Sequence, residues 1–362
     1  METLRILWLN WRDITHPEAG GAETFTHEVA KRLVAKGHYV TLFASRYPGS
    51  EMEQKIDGVH VVRQGGRFTV YSEAKRYYEA NSGKYDVVID EVNTRPFMTP
   101  KFVNNGEQKI ALIHQLAREY WFYETPLPVA FLGYFFLEKR WLAKYRDVKT
   151  ITVSRSTAHD LSRLGFSNVH VVPEGLSYEP LPCILEKNAD PTIIYLGRMI
   201  RAKRPDHVLK AFSIVSRLMP EAQLWMVGDG YYKQKLQRMS KGNVKFFGRL
   251  PKDRVSEMLS RAWLLVYPSL REGFGLAILE ANAHGTPAIG YNVPGVRDAI
   301  IDKQTGLIVR DTKITTLAEA IVSILSDQAL RQRLSRDALD FSRSFSWDKT
   351  AEEFGRILVT GN

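Results

Sequence analysis

The sequence predicts an α/β protein of two doubly wound halves, each a parallel sheet with helices on both faces. Three observations predict it. Short apolar, β-branched runs alternate with helix-patterned stretches along all 362 residues. A segment with three prolines and one glycine, Glu174 to Pro191, interrupts that alternation near the middle. Glycine turns stand directly after several of the apolar runs, where a strand must hand over to a helix.

In the first half the expected strands cover residues 4–11, 39–44, 59–63, 86–90, 110–114, 150–154 and 169–173. Helical spacing fills 23–36, 72–81, 130–146 and 155–164 between them. The second half repeats the alternation, with strands at 193–196, 224–227, 244–247, 264–267, 288–290 and 307–309. Its helices are expected at 205–218, 232–239, 252–261, 275–283, 315–325 and 329–345. The domain reading is therefore 1–178, 179–345 and a tail, 346–362, in which Ser346 can cap a last helix. Two such halves facing each other would leave a central cleft at their strand ends.

Composition narrows the class. A single cysteine, Cys183, excludes an internal disulfide and fits a reducing cytoplasm. The opening apolar run is too short for a signal peptide and reads as a first strand. The longest apolar run, 126–137, falls short of the roughly 18–20 residues that span a bilayer. Lys and Arg number 23 against 21 Asp and Glu in residues 1–180, and 27 against 19 in 181–362. Of the net charge of +10, +8 thus sits in the second half, where it would suit a diphosphate, an anionic membrane surface, nucleic acid or plain solubility.

The most informative segment is Ser269-Leu-Arg-Glu-Gly-Phe-Gly-Leu-Ala-Ile-Leu-Glu-Ala281. A buried-strand run precedes it and a helical pattern follows Gly275. Strand, glycine turn and helix put backbone N–H groups at a positive helix end, where phosphate or sugar oxygens bind. Glu272 falls at the strand's C-terminal edge, and Glu280 follows it with seven residues between. Carboxylates only accept hydrogen bonds, so two of them suit hydroxyl-rich partners such as a sugar and a ribose.

This pattern resembles the E-x7-E motif of retaining nucleotide-sugar glycosyltransferases of the GT-B fold, family 4 type, and further landmarks fall in the same order along the chain. The resemblance implies two Rossmann-like domains facing a cleft, with the tail helix crossing back to the first. It implies a hexosyltransferase that takes a nucleotide-diphosphate sugar as donor. By resemblance Glu272, Gly273, Phe274, Gly275 and Leu276 hold the donor sugar, and Glu280 holds the ribose hydroxyls. Arg198 and Lys203, in Leu196-Gly-Arg-Met-Ile-Arg-Ala-Lys203-Arg, match the family's Gly-Arg with Lys five positions on. An Arg and a Lys on one loop can neutralise a leaving nucleoside diphosphate without a metal. The family's glycine after that lysine is Arg204 here, and Arg201 and Arg204 are read as surface residues.

Other landmarks are weaker singly. Gly228-Asp-Gly230 closes a strand, and the resemblance sets it beside the nucleotide. Arg249 follows the next strand, where the family contacts the base. The turn Pro294-Gly-Val-Arg-Asp298 is read as structural. In the first half Gly20-Gly21 precedes a helix, and by resemblance it faces the donor phosphate and the acceptor. His114 ends an apolar strand, where family 4 enzymes commonly contact the donor sugar. The resemblance implies a retaining reaction that needs no enzymic nucleophile, and none is evident; no metal-ligand cluster or cofactor motif is evident either, so a metal-independent, cofactor-free reaction is expected. Tyr120, Trp121 and Tyr123, with the apolar and basic residues up to Arg146, suit an acceptor-side or interfacial helix. The alternative for that segment is plain core, in which Trp121 and Phe135 would be buried.

The expected partners are a nucleotide sugar and a sugar or lipid-linked acceptor. The expected location is the cytoplasm, with peripheral contact to the inner face of the membrane left open. The donor stays open among GDP-mannose, UDP-glucose and UDP-N-acetylglucosamine. The alternatives are a nucleotide-sugar epimerase or sugar phosphorylase of the same fold, and, in a different class, a basic nucleic-acid-binding protein. The order Gly-Gly, Arg-x4-Lys, Glu-x7-Glu favours the transferase, and no nucleic-acid partner is expected.

Overall fold

The computed structural model describes residues 3–359, and its chain falls into two compact units. The first gathers the chain up to Trp121, Pro126–Gly175 and the described residues from Ser346 onward; the second gathers Phe122–Thr125 and Leu176–Phe345. Residues 1–2 of the expected first domain and 360–362 of the expected tail lie outside the described residues.

The first unit is built on an eight-stranded sheet. Its strands are β1 (Arg5–Leu9), β2 (Tyr39–Ala44), β3 (Glu53–Ile56), β4 (Val59–Arg63), β5 (Val87–Glu91), β6 (Gln108–Leu112), β7 (Lys149–Thr152) and β8 (Val169–Val171). Their order is β3-β4-β2-β1-β5-β6-β7-β8, and only β3 runs antiparallel to its neighbour. The central strands are apolar on both faces: Ile6, Leu7, Trp8 and Leu9 have no exposed surface. Strand order reverses between β1 and β5, the place where open α/β sheets receive ligands.

Three local features differ from the sequence reading. β3 was not expected, because Glu-Gln-Lys-Ile contains no apolar run. It folds back on β4 through Asp57-Gly58, whose φ values of 47° and 86° suit a two-residue hairpin turn. β6 and β7 stop at Leu112 and Thr152, so His114 and Ser154 stand beyond their strands. The single helix expected over 130–146 is in pieces: Leu127–Leu132 is α, Gly133–Leu137 is π, Glu138–Leu142 is α and Ala143–Tyr145 is 3-10. Gly133 lies under the Trp121 indole, and a Cβ there would stand 2.4 Å from the ring. A widened turn at such a close approach is a familiar helix irregularity.

The last helix, Trp347–Val359, begins with the Lys349 N–H donating to Ser346 Oγ at 3.2 Å. Its buried face includes Trp347, Ala351, Phe354 and Leu358. Phe354 stacks on Trp8 of β1 with ring centroids 5.1 Å apart, so the C-terminal chain completes the first unit's core. Burying such side chains contributes roughly 1.5–3 kcal/mol each.

The second unit carries a wholly parallel six-stranded sheet: β9 (Thr192–Leu196), β10 (Gln223–Val227), β11 (Val244–Gly248), β12 (Leu264–Tyr267), β13 (Ala288–Tyr291) and β14 (Gly306–Val309). The order is β11-β10-β9-β12-β13-β14. The chain winds outward from β9 in one direction and from β12 in the other, so the switch point lies between those two strands. The Arg198–Lys203 loop follows β9 and the Glu272 loop follows β12. The two strongest sequence motifs therefore emerge side by side.

Candidate functional site

The β9 loop is held by its neighbour. Gly197 N–H donates to Val227 O at 3.1 Å, and Met199 N–H donates to Asp229 O at 2.8 Å. Gly228 and Gly230 make this approach feasible. A Cβ would stand 2.0 Å from Gly197 O at Gly228, and 2.4 Å from Met199 O at Gly230. Gly228 also has φ of 125°, a conformation L side chains avoid. Thus the Gly-x-Gly turn sets the backbone on which Arg198 rides. The Arg198 carbonyl accepts a 2.8 Å bond from Tyr195 Oη, while its side chain is exposed with no protein partner among the described residues.

Lys203 ends the short 3-10 turn Arg201–Lys203 and is buried. Its Nζ donates to both oxygens of Glu272, 2.5 Å from Oε2, and lies 3.4 Å from Tyr267 Oη. The two motifs read separately in the sequence are thus joined by a buried ion pair. The pair is neutral as a unit, so Lys203 leaves no net charge on this loop, whereas the exposed Arg198 carries one. Such a pair contributes mainly geometry, because desolvation offsets much of its Coulomb energy.

Arg201 is exposed as expected; Arg204 is not a plain surface residue. It takes the left-handed conformation at φ 50°, the one that glycine would adopt most readily. A side chain there costs on the order of 1–3 kcal/mol. Its guanidinium lies 5.7 Å from the ring centres of both Tyr123 and Tyr291, a cation–π arrangement that offsets part of that cost.

The β12 loop is braced from the other side. Glu272 N–H donates to Pro294 O at 3.0 Å, and Gly295 packs so closely that a Cβ would stand 2.3 Å from Glu272 O. Asp298 accepts the Gly295 N–H at 3.0 Å, which makes the Pro294–Asp298 turn a support for Glu272. Phe274 is buried, edge-on to Phe345 at 5.6 Å. Gly275, at φ 104°, precedes the helix Leu276–Ala283. Leu276 and Glu280 are half-buried, Gly273 likewise, and the Glu280 carbonyl accepts from His284 Nδ1 at 2.6 Å. Arg249 is exposed beyond β11. Asp229, beside it, has its carboxyl held below the usual range by the Gly230 N–H and the Lys233 ammonium, with Arg249 a smaller contributor.

One feature of this unit went unread in the sequence. Glu124, in Phe122–Thr125, accepts the Ala202 N–H at 2.9 Å and the Tyr231 hydroxyl at 2.9 Å, and Tyr231 Oη accepts the Arg201 N–H at 3.0 Å. Tyr123 accepts from Arg204 at 3.3 Å. These bonds clamp the loop between Arg198 and Lys203.

In the first unit Gly20 precedes the helix Gly21–Ala35. Gly20 is half-buried and Gly21 exposed. The Gly20 N–H is occupied by Glu23 Oε2 at 2.6 Å, and Glu23 pairs with Arg12 at 2.9 Å. The helix start is therefore capped by its own carboxylate. His114 is buried, with Nε2 3.2 Å from Glu91 Oε1 and Nδ1 3.9 Å from Glu174 Oε1. Burial disfavours its charged form, but the Glu91 hydrogen bond and nearby carboxylates hold its pKa above the ordinary histidine value.

Of the three aromatics expected on the acceptor side, Tyr120 and Tyr123 are half-buried. Trp121 is buried on Gly133, and its Nε1–H donates to Glu138 at 3.3 Å. The Glu138 carboxylate also accepts the Ala117 and Arg118 N–H groups, at 2.7 and 2.9 Å. The indole is thus committed to packing and offers little surface to a ligand. Phe135, by contrast, is 53% exposed, so the segment is core on one face and open on the other.

The Glycosyltransferase Family 4 model matches residues 19–179, and the model for glycosyl transferases group 1 matches residues 183–340. The chain is 24% identical to the glycogen synthase of Mycobacterium tuberculosis, over 98% of this chain and 94% of that protein. Among solved structures, sucrose-phosphate synthase from Thermosynechococcus elongatus superposes with a TM-score of 0.79 at 21% identity, covering 98% of each chain. Anabaena HepE in complex with UDP and glucose superposes with a TM-score of 0.75 at 14% identity, again over 98% of each chain. With one model on each half and the same fold over its length, the chain belongs to the group 1, family 4 type glycosyltransferases of GT-B fold.

Proposed function

We propose that this chain transfers a hexose from a nucleoside-diphosphate sugar to an acceptor hydroxyl, with retention of configuration and without a metal ion. The observation that carries this reading is Arg198: an unpartnered guanidinium on a braced loop at the second unit's switch point. Such a cation is suited to the charge that grows on a departing diphosphate. In the transfer the bond from the anomeric carbon to the diphosphate oxygen breaks. The acceptor oxygen bonds to that carbon on the same face, and the leaving phosphate takes the acceptor proton. Lys203 orients Glu272 for the sugar hydroxyls, Glu280 takes the ribose, and His114 meets the donor sugar. Gly20 and Gly21 are assigned to the phosphate and acceptor, and Arg249 to the base. The names of the relatives favour a hexose donor, and the UDP and glucose held by HepE make UDP-glucose the first donor to try.

Arg198→Ala tests this reading. It should lower turnover about a hundredfold or more, with folding little affected because the side chain is exposed. Full turnover in the folded variant would remove the assignment. Activity should also persist in excess EDTA, and complete loss restored by magnesium or manganese would overturn the metal-free step.

A lipid-linked acceptor is favoured by the open face of the segment from Leu127 to Lys144. Leu127, Phe131, Leu132, Phe135 and Phe136 are each at least half exposed, and Lys139, Arg140 and Lys144 are exposed beside them. Among the described residues no helix is long and apolar enough to cross a membrane. An apolar face flanked by basic residues suits shallow insertion into an anionic leaflet, where the acceptor would reside.

A further inference from the structure

Glu91 is the last residue of β5, at the first unit's switch point, and has no exposed surface. A carboxylate so buried is tolerated only when its oxygens are occupied by donors. Oε2 accepts from Trp8 Nε1 at 2.8 Å and from Thr26 Oγ1 at 2.5 Å. Oε1 faces His114 Nε2 at 3.2 Å and Asn93 Nδ2 at 3.5 Å. An indole N–H and an amide NH2 can only donate, and an ionised Glu91 meets both as an acceptor; the Thr26 hydroxyl, also 3.1 Å from Ala22 O, can either donate or accept. Against an ionised Glu91, His114 Nε2 carries the proton it shares with Oε1.

The ring is fixed from other directions as well. Phe25 meets it edge-on, with centroids 5.1 Å apart at 86°. The His114 carbonyl accepts from Thr157 Oγ1 at 3.1 Å. Nδ1 alone has no hydrogen-bond partner, although it is buried. An unmet polar atom in such a place costs about 1–3 kcal/mol. An oxygen arriving from a ligand would remove that cost.

The charged groups that act most on the ring are acidic: Glu91 on β5, Glu174 beyond β8, and Glu23 on the helix Gly21–Ala35, which is itself paired with Arg12. We propose that Glu91 is a positioning residue for the transfer, holding His114 as an imidazolium with Nε2–H fixed on the carboxylate and Nδ1–H kept for an oxygen of the donor sugar. This rests on the reading that His114 meets the donor. It adds which edge of the ring is used, in which charge state, and which residue imposes both. Burial alone would favour the neutral ring; the Glu91 bond and the surrounding acids reverse that preference.

The test reads the proton and the rate separately. In the 15N-histidine-labelled full chain, long-range 15N–1H spectra report the protonation of each ring, and the His114 signal is the one lost in His114→Gln. The parent should show His114 doubly protonated near neutral pH, with a midpoint above the ordinary value of about 6.5. Glu91→Gln replaces the acceptor facing Nε2 by an NH2 group. It should lower that midpoint by about one unit or more and shift the surviving proton to Nδ1. The alkaline limb of the turnover profile should move acid by the same amount, with kcat falling more than KM rises. Thr26→Val removes a bond to the same carboxylate without touching His114; it should lower stability and leave midpoint and limb in place.

A neutral His114 in the parent near pH 7 overturns the proposal, and that result does not depend on any variant folding. An unmoved midpoint in Glu91→Gln overturns it too. A midpoint that moves while the limb stays would uphold the hold of Glu91 on His114 but remove His114 from the transfer.

Discussion

Gly228→Ala probes whether the β10 turn sets the position of Arg198. The new methyl would stand 2.0 Å from Gly197 O, a backbone atom that cannot rotate away, and the residue would keep φ of 125°. The unfavourable dihedral costs on the order of 1–3 kcal/mol. Overpacking against the β9 loop adds roughly 1–3 kcal/mol. Together they predict about 2–6 kcal/mol of destabilisation, or roughly 4–24 °C in the melting temperature of a domain of this size. The chain can relieve the clash only by displacing Gly197, and Arg198 moves with it. A shift of about 1 Å in a group that meets the reacting diphosphate can cost about a hundredfold in rate. Gly242→Ala is the control: its φ is 73°, but nothing lies within 4 Å of the added carbon. It should show the dihedral cost alone and keep full activity. Thermal melts, titration calorimetry with the nucleoside diphosphate and initial rates decide the matter. A Gly228→Ala protein as stable and active as the parent would refute the idea that this turn braces the loop.

The two glutamates should separate by ligand: Glu280→Gln weakens the bare nucleoside diphosphate, whereas Glu272→Gln impairs transfer more than diphosphate binding. Calorimetry with the diphosphate alone distinguishes them, and unchanged affinity in both would remove the ribose role of Glu280. Arg63 and Asp13 form a pair whose side chains have no exposed surface, with Nε–Oδ2 at 2.7 Å. Arg63→Met should cost about 3–5 kcal/mol by stranding the carboxylate. Burial raises the pKa of Asp13, but bonds from Arg63 and Thr15 outweigh it and hold the carboxyl below its ordinary value. Its contribution to stability is therefore present above the unfolded value of about 4 and is lost as pH falls through the lower folded value. Acid melts of Asp13→Asn should lack that component; an unchanged acid dependence would show that the pair is not its source. Parent protein should co-sediment with liposomes containing anionic lipid, less so at high salt. Phe131/Phe135/Phe136→Ser and Lys139/Arg140/Lys144→Ser should each weaken it, and equal partitioning of all three proteins would favour a soluble acceptor.

What the sequence made legible follows from what is local in it. Apolar runs ending in glycine marked the strand ends, because a strand-to-helix turn needs residues that tolerate close approach at that point. The motifs beyond β9 and β12 were visible for the same reason. The contacts that hold these motifs were not visible, since they join residues far apart along the chain. Lys203 and Glu272 are sixty-nine positions apart and meet in one ion pair. Glu91 is eighty-three positions from Trp8. The only local sign of Glu91 was an acidic pair, Asp90-Glu91, closing an otherwise apolar strand. That sign has a physical basis: two acids at the end of a wholly buried strand must find donors, and their partners mark what the fold has been built to hold. Asp90 takes the Phe97 and Thr99 N–H groups and the Tyr145 hydroxyl, and so secures the loop after β5; Glu91 takes Trp8, Thr26 and His114. Adjacent acids thus divide into one that closes a loop and one that fixes a ring. Arg204 makes the complementary case. Arg204 takes a left-handed turn although it carries a side chain, with two tyrosine rings flanking its guanidinium. The loop conformation is therefore imposed by what packs on it, and Tyr123→Ala should loosen the loop that carries Arg198 even though the substituted residue belongs to neither motif.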